Sequence, residues 1–412
     1  LNLLNYGLQI LNFWMEIFNN KYWKLQQKIR LNGPITVADY MRMTISLPMS
    51  GYYQQFSNNH EIFGHKGDFI TAPEISQLFG EMIGVWCYYE VGNAGHKGEW
   101  QLVECGPGTG QFMNDISRTL DRFKEKKFSI HLVEISDSLI KKQENILCNS
   151  ITNYIEGHPY IKSNITKYGI PIFWYRSVDE IPTKFSVFIA NEFLDALPIH
   201  QFQKDDVGQW HEIYIALNEN DQLYFMLSKG ENLYTKGLIP EKVRRDHKRT
   251  VWELCPDACL FVSQIAERIT QYGGIGLLID YGHDGQRSTL SLRAYKNHQL
   301  VNPLKNPGKQ DITADIDFGY LRSLIEEQTQ GLREFLTHMG IGIRLNRLLQ
   351  SCSNEKDREN LVESYKFLMS DEGMGSRFKV MSIYPKVLYE TLIFRQGPAG
   401  FPQDYSRNIL GE

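Results

Sequence analysis

The sequence predicts an α/β protein: a mostly parallel, doubly wound sheet with an inserted β-rich flap and helical additions at its N- and C-terminal ends. Two observations carry this. Five short runs rich in Val, Ile and Phe, "QLVEC", "SIHLVEI", "PIFWY", "FSVFIA" and "IGLLID", recur between residues 101 and 280, punctuated by Gly or an acid and separated by longer polar-apolar segments. Strands buried on both faces read as such unbroken runs, and their alternation with helical stretches is that of a parallel sheet. Between the fourth and fifth runs lies a stretch of roughly residues 200–265, in which "WHEIYIAL" and "QLYFMLS" flank the turn-rich "NEND" and alternate as a hairpin does.

These patterns divide the 412 residues into three. Residues 1–95 form a helical arm with a "GDFITAPEIS" loop, 96–290 the sheet core with its insertion, and 291–412 a mainly helical region typified by "FGYLRSLIEEQTQGLREFLTHMGI". No internal repeat or low-complexity linker interrupts them.

Composition excludes several classes of protein. With 44 Lys+Arg against 48 Asp+Glu and a net charge of -4, there is no basic excess to announce a nucleic-acid partner. No apolar run reaches the roughly 18 residues that span a bilayer, so membrane insertion is not expected. Cys87, Cys105, Cys148, Cys255, Cys259 and Cys352 are sparse and irregular, unlike a disulfide framework, and point to a reducing compartment. Cys255 and Cys259 lack the second pair or nearby His of a zinc site. The chain begins with Leu1 rather than Met, and its first twenty residues lack the Arg- and Ser-rich character of a transit peptide, so no targeting is read from this end.

The first expected strand runs into "LVECGPGTGQF", with Gly106, Gly108 and Gly110 ahead of a helix. Glycines there let the backbone turn tightly and approach a ligand, while the helix N-terminus offers free N–H groups. The dinucleotide fingerprint G-x-G-x-x-G fails in both registers, because residue 111 is Gln and residue 113 is Met. The spacing is instead E-x-G-x-G-x-G. Glu104, within the strand end, would repel a pyrophosphate but meet an ammonium, which suits the zwitterionic methionine end of S-adenosylmethionine. Glu134 ends the next strand in "IHLVEIS", where an acid can accept both ribose hydroxyls; the alternative is a solvated strand-end acid.

"IANEFLDALP" sets Glu192 and Asp195 directly after the fourth run. The ligands of open α/β sheets bind beyond the carboxyl ends of the strands at the topological switch point, so both acids, with Asn191, are expected there. The plainer alternative is that they cap the following helix. In "GDFITAPEIS", Asp68, Thr71 and Glu74 are candidates to close over a ligand, although Thr71, Pro73 and Glu74 also suit a helix start. His283, after the fifth run, is a candidate proton acceptor or a structural residue. His60 and His65 of "HEIFGH" stand five apart, one too many for a zinc helix, and Asp311, Asp315 and Asp317 of "QDITADIDF" lack the glycine and glutamate of a calcium loop, so a solvated helix start is expected there and no metal is implied.

"GPITVADYM", "SGYYQQ", "GDFITAPEISQLFGE", "LVECGPGTG", "HLVEIS", "ANEFLDALP", "LLIDYGH", "NPGKQDITADIDF" and "TQGLREFLTHMGI" together resemble the MidA-like mitochondrial and bacterial methyltransferases, across residues 33 to about 350. "GDFITAPEISQLFGE" and "NEFLDALP" are the most specific, since no generic nucleotide-binding fold requires them. The chain departs from the family pattern at Thr109, Cys105 and Asp315, where Arg, Leu and His are common.

The resemblance implies a Rossmann-like class I methyltransferase fold, S-adenosyl-L-methionine as cofactor, and symmetric dimethylation of an arginine on a core matrix-side subunit of respiratory complex I, required for its assembly. With the sparse cysteines it implies the mitochondrial matrix, and it leaves homodimerisation open. Glu104, Gly106, Gly108, Gly110 and Glu134 would hold the donor. Glu192 and Asp195 would hold the acceptor, since a guanidinium is a poor nucleophile until its planar N–H fork is aligned and polarised by carboxylates. Two alternatives stand beside this reading: another acceptor on the same scaffold, and a non-catalytic assembly chaperone.

Overall fold

The computed structural model describes residues 21–46, 72–325 and 329–401. The arm comprises α1 (Lys21–Asn32), the two-residue β1 (Ile35–Thr36) and α2 (Val37–Met41), whose N-cap Thr36 accepts the Asp39 amide at 3.0 Å. After α3 (Ala72–Ile75), Ser76 caps α4 (Gln77–Asn93) through the Leu78 N–H. The central sheet then begins with β2 (Trp100–Cys105), α5 (Gln111–Arg122), β3 (Phe128–Val133), α6 (Asp137–Leu147), β4 (Lys162–Ile165), β5 (Pro171–Tyr175) and β6 (Ser186–Asn191). The flap holds β7 (His200–Lys204), β8 (Trp210–Leu217), β9 (Leu223–Leu227), the short α7 (Leu233–Leu238) and α8 (Glu241–Arg245), and β10 (Val251–Leu254). α9 (Pro256–Tyr272) returns the chain to β11 (Gly274–His283). The C-terminal part runs through β12 (Arg293–Lys296), β13 (Gln299–Val301), β14 (Asp311–Thr313), β15 (Ile316–Asp317), α10 (Phe318–Ile325), β16 (Thr329–Gly331), α11 (Leu332–His338), α12 (Ile341–Ser351), α13 (Glu355–Met369), β17 (Phe378–Ile383) and α14 (Tyr389–Phe394).

The five strands expected from the apolar runs are β2, β3, β5, β6 and β11, all parallel, in the order β5-β3-β2-β6-β11. The chain winds outward from β2 to β5 and then resumes at β6 on the other side, so β2 and β6 form the switch point. β4 adds an antiparallel edge at β5. β17 pairs antiparallel with β11, Leu278 opposite Met381, although the C-terminal region reads as helical in sequence. Its six residues lie between a 15-residue helix and a 6-residue one, and periodicity over so short a run is weak.

Side chains alternate across the sheet into two cores. Leu102, Val187, Ile189, Leu277 and Ile279 pack with α4, α5 and the C-terminal helices, while Val103, Phe188, Ala190 and Leu278 pack with α9 and the N-terminal arm. The flap is a separate antiparallel sheet, β1-β8-β7-β10 with β9 beside β8, as its hairpin pattern predicts. Among the described residues no helix is long and apolar enough to cross a membrane.

Two buried acids of α4 clamp the C-terminal helices to the core. Glu81 takes Arg344 in a fork at 2.7 and 3.0 Å, and Glu90, fully buried, accepts from Arg395 at 2.6 and 3.2 Å and from the Ala399 amide at 2.9 Å. Removing one partner of such a pair strands the other. Glu90→Gln is therefore expected to cost about 2–3 kcal/mol, read as a lower denaturant midpoint with an unchanged slope.

Candidate functional site

The site is built from two turns that leave neighbouring parallel strands at the same edge. β2 delivers the glycine loop, whose Gly106, Gly108 and Gly110 all adopt left-handed φ of +68°, +52° and +88°. A Cβ on Gly106 would stand 2.7 Å from Cδ2 of Phe193, so the second turn packs directly on the first. β6 delivers Asn191, Glu192 and Asp195. Glu192 itself sits at φ +49°, a conformation a non-glycine side chain holds only when its surroundings enforce it.

A cleft of about 1200 Å³, counting its open mouth, lies over both turns. Glu104, the glycine loop, Glu134, Asn191, Glu192 and Asp195 all line it, together with Glu74 of α3. Among its described lining residues are six carboxylates, Glu74, Glu104, Glu134, Glu192, Asp195 and Asp311, and no Lys, Arg or His. Asp68 and Thr71 lie outside the described residues, as do His60 and His65.

Burial dominates the electrostatics. Glu104 is buried beside Glu134, and its carboxyl is pushed up to about 8. Glu104 Oε2 has no hydrogen-bond partner among the described residues, and neither has Asn191 Oδ1. Burial likewise raises Glu134 to about 7, against the Ser136 amide at 2.8 Å and the Gln143 amide at 3.1 Å. Asp195 is buried and raised, its Oδ2 accepting the Thr313 hydroxyl at 2.7 Å. Glu192 is half-buried, with Asn191 Nδ2 at 3.4 Å from its Oε1.

His283 lies elsewhere. It lines a small cavity with Cys259, Asp317 and Tyr320, burial lowers its pKa, and its Nδ1 accepts the Gly285 amide at 3.1 Å. Of the aspartates after β13, only Asp317 is at the helix start expected of all three. Asp311 is buried at the cleft, Asp315 bridges Arg287 and Arg293, and Asp317 accepts the Tyr320 amide at 2.9 Å to start α10.

Three further sets of residues that the sequence reading does not assign to the site also shape it. Gln143, buried on α6, donates to the Gly108 carbonyl at 2.8 Å and to Glu134, and accepts from Trp174 at 2.9 Å, so one amide ties the glycine loop to the second acid. Tyr281, Tyr295, Asp311 and Thr313 bring β11 and the small β12–β14 sheet to the cleft. Asp280, buried within β11 just past its last pairing with β6, holds the second turn from below. An acid closing a parallel strand, the criterion that picks out Glu134, also picks out Asp280.

Paired turns at the switch point of a doubly wound sheet form the edge at which such folds bind nucleotides and nucleosides. The family model for S-adenosyl-L-methionine-dependent methyltransferases matches residues 82–335, and the chain belongs to that family. Among its relatives, "Protein arginine methyltransferase NDUFAF7 homolog, mitochondrial" of Caenorhabditis elegans is 53% identical over 92% of this chain and 89% of its own length. The Homo sapiens protein "Protein arginine methyltransferase NDUFAF7, mitochondrial" is 38% identical over 88% of this chain and 82% of its own. A crystal structure from Burkholderia thailandensis with bound S-adenosyl-homocysteine has the same fold, with a TM-score of 0.72 at 22% identity over 88% of this chain and 91% of that one. S-adenosylmethionine is the cofactor.

Proposed function

We propose that this chain transfers methyl groups from S-adenosylmethionine to the ω-nitrogens of a protein arginine, giving symmetric dimethylarginine on a core matrix-side subunit of respiratory complex I. The observation that carries this is a cleft whose described lining residues include six carboxylates and no cationic side chain. Such a lining favours ligands that bring positive charge, and a guanidinium does so on the acceptor side. The names of the relatives supply arginine and the mitochondrion; the complex I client, the matrix and the symmetric pattern rest on the family resemblance.

The cofactor supplies an electrophilic methyl on a sulfonium, and the residues present fit it. Glu104, whose Oε2 lacks a partner, is the acid for the ammonium; the glycine loop leaves space for close approach; Glu134 keeps acceptor capacity for the ribose hydroxyls. Across the cleft, Glu192 and Asp195 take the acceptor's N–H fork and align one nitrogen. Charge-assisted pairing of this kind holds and polarises a group that does not lose its proton in water. Half-buried Glu192 is also placed to take the proton that the methylated nitrogen releases, the task for which His283 stands on the wrong cavity.

The test is incubation of the protein with deuterium-labelled S-adenosylmethionine and complex I from cells lacking this enzyme, followed by fragmentation of the modified peptide. Loss of monomethylamine marks symmetric dimethylarginine and is the expected result; loss of dimethylamine, or label on another residue type, refutes the assignment. A donor-blind variant that still matured the complex would favour the chaperone alternative.

The raised carboxyls also predict a proton signature. At pH 7 Glu104 is largely protonated, because its pKa stands near 8, and a cationic ligand ionises it. Bound protein then carries fewer protons than free protein, so affinity rises with pH between about 5 and 7, below the range in which the donor's own α-amino group titrates. Calorimetry in buffers of different ionisation enthalpy should read up to about one proton released per donor bound near pH 7. Glu104→Gln should remove most of that release.

A further inference from the structure

We infer that Asp280 is the positioning residue of the acceptor half of the site: its carboxylate fixes the turn that presents Glu192 and Asp195. The inference rests on the proposed acceptor role of those two acids. Asp280 Oδ2 accepts three consecutive backbone amides, from Phe193 at 3.1 Å, Leu194 at 2.8 Å and Asp195 at 3.2 Å, while its Oδ1 faces the Tyr281 amide at 2.8 Å. Three N–H groups converging on one point are a concave anion seat. Here the chain's own carboxylate fills that seat, from a strand 85 residues further on.

The consequence falls on Glu192. Its left-handed backbone lies between β6 and the seated turn, fixed before by its own amide on the Ile279 carbonyl at 2.9 Å and after by the three amides on Asp280. Both anchors belong to β11. Asp195 is tied a second time, by Thr313 on its side chain and by the Ala314 amide on its carbonyl at 3.1 Å. Release of Asp280 would therefore loosen the turn that follows Glu192, which keeps its hydrogen bond to the Ile279 carbonyl, while Gln143 still holds the glycine loop and Glu134. Burial and the neighbouring Asp195 and Glu192 raise the Asp280 carboxyl, which marks how closely the three acids crowd.

Asp280→Asn tests this, since the amide keeps the size of the side chain but must turn an NH2 group toward one set of amides. The probes are S-adenosylhomocysteine, adenosine bearing a 5′-guanidinoalkyl chain, and the same adenosine with a plain alkyl chain. Wild-type protein is expected to prefer the guanidino compound over the alkyl one by about tenfold or more, the size of a charge-assisted contact. Asp280→Asn should keep S-adenosylhomocysteine within about threefold, lose most of the guanidino preference, and exchange the amides of residues 193–195 at least about tenfold faster, with β6 still protected.

A folded variant that keeps the full preference, or that protects those amides normally, overturns the inference with the acceptor reading intact. One that loses S-adenosylhomocysteine in parallel overturns it too, because the hold would then serve the whole site. Absence of the preference in wild-type protein instead refutes the acceptor reading and reduces Asp280 to a turn cap. Asp280→Ser, which leaves one oxygen and no charge, replaces the amide variant if that variant does not fold, and the same outcomes decide.

Discussion

Gly106→Val is expected to abolish S-adenosylmethionine binding in calorimetry, a weakening of at least about 100-fold, or about 3 kcal/mol, in a chain that remains folded. Two costs combine. A β-branched residue at φ +68° is strained wherever it stands, and here the added Cβ would also lie 2.7 Å from the ring of Phe193. Phe193 cannot easily yield, since its ring packs against Phe261 of α9 at 5.1 Å and its amide is one of the three on Asp280. The displacement therefore reaches Glu192 and the floor of the cleft together. Gly157→Val separates the two costs. Gly157 has φ +79° with nothing within 4 Å of a Cβ, so that variant carries the backbone strain alone and should bind the donor normally. Equal loss in both variants would mean that general destabilisation by backbone strain, not close approach at the cleft, removes binding.

This contact also explains why some of the molecule can be read from its sequence and some cannot. β2, β3, β5, β6 and β11 are legible because strands buried on both faces need unbroken apolar runs, and Glu104, Glu134 and Glu192 because each stands beside the end of such a run. Those signals are local. Phe193 against Gly106 and Asp280 beneath the turn are pairings between elements far apart in the chain, created when β2 and β11 both become neighbours of β6. Nothing in either segment alone specifies its partner. The same holds for Gln143, which reads as an ordinary polar residue of a helix until α6 lies behind the glycine loop. Asp311 and Asp315 mislead for the opposite reason: three acids in seven residues read as a solvated surface, yet one is buried at the cleft and another carries two arginines.

Glu192→Gln is expected to lower methyl transfer by about 100-fold or more while leaving donor affinity unchanged, the loss typical of one preorganised electrostatic contact. The amide is nearly isosteric, so the left-handed backbone and the hydrogen bond its N–H donates to the Ile279 carbonyl need not move. What disappears is the charge that aligns the fork and receives the proton. The loss should therefore appear in kcat as well as in kcat/KM, since an interaction that only held the ground state would change KM alone. Asp195→Asn is the informative companion. Asp195 is buried, its carboxyl is raised, and its Oδ2 already takes the Thr313 hydroxyl, so the amide keeps that bond through its oxygen and surrenders less charge. A smaller fall, on the order of tenfold, is expected there. Because the two acids serve one fork, the double variant should be little worse than Glu192→Gln alone. If the two losses multiplied instead, the acids would act on different groups, and the shared guanidinium would be the part of the reading to give up.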